Sequence, residues 1–216
     1  MIKTIVLSKY DMQRCVDFSK ESAKSQQAIE FGQSDTVPRR IAEIARDNLI
    51  GKMAEVAITH MLREDFGLHF TVNFDIYPRG EWDDFDVQIN GWNVDIKSTR
   101  IGQWLLFEVD KLRMRQNQKY NNLPDAIFMC RTPWNRELDE PKGTVELIGA
   151  VSLKNLLSNN SKVVRLKKGD FIPNTRAKLQ AENYGIHFSN ISSDWGSIIP
   201  YMLTNPPPDA SAYIIP

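Results

Sequence analysis

The chain has little sulfur or imidazole chemistry to offer. Cys15 and Cys130 are its only cysteines in 216 residues, too few for a disulfide framework. Cys130 follows the apolar run Ala126, Ile127, Phe128 and Met129, where a buried, reduced thiol is expected. His60, His69 and His187 are scattered without ligand spacing, which removes the usual donors of zinc sites. Glycine-rich phosphate loops and Ser-His pairings are missing, so neither nucleotide hydrolysis nor a nucleotide cofactor is expected. No apolar run approaches membrane-spanning length, and the start Met1-Ile2-Lys3-Thr4-Ile5-Val6-Leu7 is too short for a signal peptide and lacks a cleavage region. The expected compartment is the cytoplasm, with no membrane partner. An excess of one charge is missing too, since 27 Lys and Arg balance 27 Asp and Glu. That argues against binding nucleic acid through a global field and leaves local patches as the only electrostatic route.

What remains suits one α/β domain over residues 1–216. An apolar content of 42% at this length can bury a core. Ser8 and Asp11 form a capping-box pattern that opens a first helix over 9–30. Ile41, Ile44, Ile50, Met53, Ala54, Ala57 and Met61 recur at helical spacing, predicting a helix over Ile41–Phe66 with Asp35, Thr36 and Pro38 as start signals. A strand is predicted near 69–76, and residues 104–109 either extend the sheet or lead into the segment that follows. Ala126–Arg131 reads as a buried central strand and 145–151 as another, with Ser152 capping a short helix over Leu153–Leu157. The sum is a mixed β-sheet with helices on both sides. After Gly169 the pattern degrades. Residues 171–191 carry Arg176, Lys178, Gln180, Asn183 and Tyr184, which suits a DNA-reading or dimerisation addition as well as a peripheral cap. Pro206-Pro207-Pro208 marks a stiff tail that docks on its own domain or on a neighbour.

The most informative stretch lies between Asp84 and Lys97. Asn90-Gly91 is a strong two-residue hairpin signal, and such a turn fixes the pairs across the ladder. Asp86 then faces Asp95 and Asp84 faces Lys97. Alternation puts Asp84, Asp86, Gln88, Asn93, Asp95 and Lys97 on one surface and Phe85, Val87, Ile89, Trp92, Val94 and Ile96 on the other. Facing carboxylates repel unless a cation or a proton sits between them. The same alternation also describes any hairpin with one solvated face. Glu55, on the margin of the 41–66 stripe, is placed to reach over the edge of a packed sheet or to stay in solvent. Two basic runs are phosphate-contact candidates or plain solvated faces: Lys111, Arg113, Arg115 and Lys119, then Lys162, Arg165, Lys167 and Lys168.

Taken together, the helix with Glu55, the strand opening with Asp86 and the strand ending in Asp95-Ile96-Lys97 resemble the PD-(D/E)XK nuclease superfamily. The resemblance covers a core of about 38–157, with the 9–30 helix and a 170–216 extension as additions, and implies a restriction-endonuclease-like fold. It implies Mg²⁺, with Mn²⁺ as a substitute, held by Asp86, Asp95 and the Ile96 carbonyl, Lys97 orienting the attacking water and Glu55 as an auxiliary acid. The family proline is missing, because Phe85 precedes Asp86. Asp84 is therefore the rival acid and Asp83 a distant third. The implied activity is endonucleolytic hydrolysis of DNA phosphodiester bonds by a homodimer, as in a type II restriction enzyme. A repair, recombination or phage-derived nuclease of the same fold is the near alternative. A non-catalytic DNA-binding or assembly subunit is the distant one.

Overall fold

Helical and alternating apolar spacing sort the chain into the elements of a computed structural model that describes residues 2–27, 40–76, 85–117, 123–158, 161–209 and 215. In chain order they are β1 (Lys3–Val6), α1 (Lys9–Gln27), α2 (Ile41–Phe66), β2 (Val87–Ile89), β3 (Trp92–Thr99), β4 (Trp104–Glu108), α3 (Val109–Gln116), β5 (Ala126–Arg131), β6 (Trp134–Asn135), β7 (Glu140–Pro141), β8 (Thr144–Ser152), α4 (Leu153–Leu157), β9 (Val163–Leu166), β10 (Asn183–His187) and α5 (Trp195–Thr204). The class is mixed α/β. None of the described helices is long and apolar enough to cross a membrane.

Local chemistry sets the helix ends. The Ser8 hydroxyl accepts the Asp11 N–H at 3.0 Å and so caps α1. Glu43 accepts the Arg40 N–H at 3.1 Å at the start of α2. At its other end Gly67 takes φ 67°, and the Gly67 and Leu68 N–H groups return to the carbonyls of Arg63 and Leu62 at 3.1 and 3.0 Å. Asp35, Thr36, Pro38 and residues 28–30 lie outside the described residues. Ser152 caps α4 as expected, accepting the Asn155 N–H at 3.2 Å.

Five strands form the main sheet in the order β1-β8-β5-β3-β2. β3 and β5 run parallel, with the chain crossing between them through β4 and α3; the other neighbours are antiparallel. Alternation splits this sheet between two cores. Val87, Ile89, Trp92, Val94, Ile96 and Phe128 pack against Met53, Ala57, Ile58 and Met61 of α2 and against Trp195, Ile199 and Met202 of α5. Ile127 and Met129 face the other way, onto Leu105, Phe107, Leu112, Tyr184 and Ile186. Where the chain after β10 crosses β8, a Cβ on Gly149 would lie 2.1 Å from the Ser192 carbonyl oxygen, at a φ of 152°. Only glycine lets the two backbones approach and form the 2.8 Å bond from the Ala150 N–H to that oxygen.

Three expectations resolve differently from the plain reading. The 69–76 segment is not a strand. Phe70, Val72 and Phe74 alternate as a strand would and pack against the core that α2 shares with the main sheet, but among the described residues no ladder partner meets their backbone. Residues 104–108 do form a strand, in a separate three-stranded sheet of order β4-β10-β9 and not in the main one. Residues 183–187 of the extension therefore build a lid over the second core. The end of α5 docks on the hairpin, where Asn90 donates to the carbonyls of Met202 and Leu203 at 3.2 and 3.0 Å and the Trp92 indole to that of Asn205 at 2.8 Å, and Pro207 of the tail follows over Gly91.

Candidate active site

The hairpin turn is built as its residues require, with φ 45° at Asn90 and 84° at Gly91. From it the ladder pairs Ile89 with Trp92, Gln88 with Asn93 and Val87 with Val94. There β2 stops. The Asp86 N–H turns to the Val94 carbonyl at 3.2 Å, and the Asp86 carboxylate takes the Ile96 N–H at 2.5 Å through Oδ2. Asp86 thus stands in for the backbone partner that β3 loses where β2 peels away. In an extended strand the N–H and C=O of one residue point to the same side, so the Ile96 carbonyl opens toward this same gap.

Asp95 and Lys97 stand on the face that also carries Ile127 and Met129, their parallel partners on β5. Asp95 is 5% exposed. Its Oδ2 accepts from Lys97 Nζ at 3.1 Å and from Arg115 NH1 at 2.6 Å, and no donor among the described residues meets Oδ1. Lys97 also lies 5.6 Å from the centre of the Phe107 ring, and the Arg115 guanidinium 5.7 Å from that of Phe85.

The two acids are driven in opposite directions. For Asp95, burial by itself favours the neutral acid, but Lys97 and Arg115 together outweigh it and hold the carboxyl below the usual range. For Asp86, which keeps solvent exposure as a residue while its carboxylate turns inward, burial of that carboxylate and then the Asp95 charge push it up. Lys97, the Ile96 N–H and Lys52 pull the other way without reversing the direction. A pair with one acid held down and its neighbour forced up is short of positive charge at Asp86.

Of the predicted residues, Asp86, Asp95, Ile96 and Lys97 are brought together. Glu55 is held differently: it lies on α2, which packs on the opposite face of the sheet, and its carboxylate accepts from Lys52 at 2.6 Å. Asp83, Asp84 and Lys119 lie outside the described residues. Lys111 and Arg113 are surface groups paired with Glu108 at the end of β4 and with Asp110 of α3, at 3.1 and 3.2 Å. Arg115 is not a plain solvated group: its guanidinium turns in to Asp95, beside the acidic site. It falls three residues after the buried Leu112 and six after the buried Val109, on the inward stripe of α3, and that spacing was the available signal. Lys52 was missed as well. It is 7% exposed, donates to the Asn73 carbonyl at 2.7 Å and stacks over Phe18 at 4.6 Å, so α2 contributes a buried cation whose charge reaches Asp86.

Among the described residues no three His, Cys, Asp or Glu side chains gather closely enough to hold a metal ion. A cation here would rest on Asp86, Asp95 and the Ile96 carbonyl. That all-oxygen set suits a hard dication, since Mg²⁺ commonly takes one or two carboxylates and fills its octahedron with water and substrate oxygens. Asp125 is a further buried acid, raised by burial against the Asn93 N–H it accepts at 2.8 Å, and it clasps β3 to β5. Compared with family models, with curated proteins and with solved structures, the chain matches none.

Proposed function

We propose that this protein is a Mg²⁺-dependent endonuclease that hydrolyses DNA phosphodiester bonds on a restriction-endonuclease-like core. The observation that carries this reading is the convergence of Asp86 and Asp95 beside Lys97 at the gap where β2 leaves β3, with the Ile96 carbonyl opening into it. The order of elements supports it: a long helix, a hairpin bearing both acids, then a helical crossover to a parallel strand.

Mg²⁺ at Asp86, Asp95 and the Ile96 carbonyl would supply Lewis-acid stabilisation of the phosphate and a more acidic water. Asp86 contributes the carboxylate that Lys97 and Lys52 compensate only in part. Asp95 orients Lys97, which is 42% exposed along its side chain and so reaches toward bound substrate while tethered at 3.1 Å. Its compact ammonium sits where negative charge develops on the scissile phosphate and also orients the attacking water. Neutralising the phosphate is work that Arg115 is placed to share once Asp95 is otherwise occupied.

The test uses mixed plasmid, linear duplex and single-stranded DNA with Mg²⁺ or Mn²⁺, for the native protein, Asp95→Ala and Lys97→Ala. Cutting by the native protein and not by the variants supports the assignment; cutting that persists in both discards it. End mapping of the products separates a sequence-specific restriction enzyme from a repair, recombination or phage-derived nuclease. Sedimentation at working concentration tests the homodimer that paired cuts in two strands require. A second reading has an observation of its own. Asp95 is already compensated by Lys97 and Arg115, as in a self-satisfied structural cluster, which fits a non-catalytic DNA-binding or assembly subunit. Absence of Mn²⁺ binding by calorimetry together with absence of cutting selects that reading.

A further inference from the structure

The second basic run lies on the exposed edge strand β9 and on the ribbon that follows it. Residues 161–182 hold six cations, Lys162, Arg165, Lys167, Lys168, Arg176 and Lys178, against two acids, Asp170 and Glu182, in a chain whose formal charge is zero. The segment after β9 folds into a narrow ribbon. The Gly169 N–H reaches the Leu179 carbonyl, the Leu179 N–H the Asp170 carbonyl and the Ile172 N–H the Ala177 carbonyl, each at 2.9 Å, and Phe171 bridges to Lys178. Thr175 closes the tip, donating to the Ile172 carbonyl and accepting the Ala177 N–H at 2.9 and 3.1 Å. Leu179 anchors the base, at 8% exposure. All four cations of the ribbon, Lys167, Lys168, Arg176 and Lys178, are exposed. Phe171 is 55% exposed, with Lys178 Nζ 5.1 Å above its ring.

The strand that leads into the ribbon is joined to the acidic site by one row of side chains. Lys97 lies against Phe107 of β4; Phe107 pairs in register with Tyr184 of β10; Tyr184 pairs with Arg165 of β9, whose guanidinium lies 5.9 Å over the Tyr184 ring. With neighbouring strands about 4.8 Å apart, this row runs on the order of 15 Å from the lysine to Arg165, which pairs with Glu182 at 2.7 Å two residues before the ribbon begins. That span is a few base pairs along a duplex, whose phosphates recur about every 3.4 Å on each strand. Two-stranded ribbons of this width enter a DNA groove, and an ordered ribbon binds without first paying for its own folding.

We propose that the 167–180 ribbon is a duplex-DNA contact arm, its four cations on phosphates and Phe171 at the groove wall, holding the strand that runs to the acidic site. This rests on the nuclease reading and extends it to how the substrate is held. The test measures binding of a fluorescein-labelled duplex in EDTA, from 50 to 200 mM KCl, by anisotropy. The ribbon variant combines Lys167→Ala, Lys168→Ala, Arg176→Ala and Lys178→Ala. A control of equal charge change combines Lys9→Ala, Lys20→Ala, Lys24→Ala and Arg63→Ala, exposed positions on α1 and α2. The ribbon variant is expected to flatten the slope of log K against log salt by about 4, roughly one for each lost phosphate contact. The control is expected to keep the native slope, and both variants the native melting temperature and Mn²⁺ affinity. An unchanged slope in the ribbon variant overturns the inference, as does an equal loss in the control. A single-stranded or RNA probe bound more tightly than the duplex, and lost with the ribbon, overturns the choice of duplex DNA. If the native protein binds no nucleic acid at 50 mM KCl either in EDTA or with Ca²⁺ in place of Mg²⁺, the nuclease reading itself fails and the arm goes with it.

Discussion

Arg115→Ala tests whether the ion cluster under α3 is organised as described. The change strips one of two cations from a carboxylate that is 5% exposed, and the 2.6 Å bond to Oδ2 is lost. Removing one partner of a buried pair costs about 3–5 kcal/mol when the other charge is left alone. Here Lys97 remains at 3.1 Å, so a cost of about 2 kcal/mol is expected. For a chain of this length that is a fall in melting temperature of about 4–8 °C. The pH dependence gives the sharper test. The folded Asp95 carboxyl lies below its unfolded value of about 3.9, so its stabilisation is present above that value and is lost as pH falls through the folded one. Without Arg115 the depression shrinks. The gap between native and variant proteins should be full between about pH 6 and 8, narrow below about pH 4 and close as pH falls through the folded Asp95 value. Urea melts at intervals across that range measure it. A gap that stays constant from acid to neutral pH, or no gap at all, refutes the idea that Arg115 holds an ionised Asp95.

Further outcomes follow from the same geometry. Asp86 has the opposite sign: its folded carboxyl is raised, so its contribution is present below the unfolded value and lost as pH rises through the folded one. Asp86→Asn should therefore raise the melting temperature at pH 7 and not at pH 3, while abolishing Mn²⁺ binding by calorimetry. Lys97→Ala should lower kcat by about 10²–10³ with little change in KM, read from steady-state cleavage. Gly149→Ala forces a methyl toward the Ser192 carbonyl and should cost about 3 kcal/mol in urea unfolding, without moving Mn²⁺ affinity.

Much of the architecture was legible because it rests on short-range chemistry. The spacing from Ile41 to Met61 predicted α2 over its full Ile41–Phe66 span, the Ser8 and Ser152 caps marked two helix starts, and Asn90-Gly91 set the hairpin register. The 69–76 segment misled for a specific reason. Alternation reports which side chains are buried, not whether the backbone finds a strand, and Phe74 found the Phe18 ring of α1. α5, with its buried Trp195, Ile199 and Met202, lay in the part of the chain whose pattern seemed to fade.

By itself the sequence determined the hairpin register next to its turn, the lysine two residues beyond Asp95 and the split of the hairpin into one apolar and one charged surface, because a strand's period and a tight turn leave no freedom in them. Only tertiary structure decided that Asp86 ends its strand and caps Ile96, that Arg115 turns inward and that Glu55 is engaged by Lys52. Those outcomes depend on which charges are brought within a few ångströms of each other across distant segments, and electrostatic energy in a buried site is set by such distances rather than by neighbours along the chain.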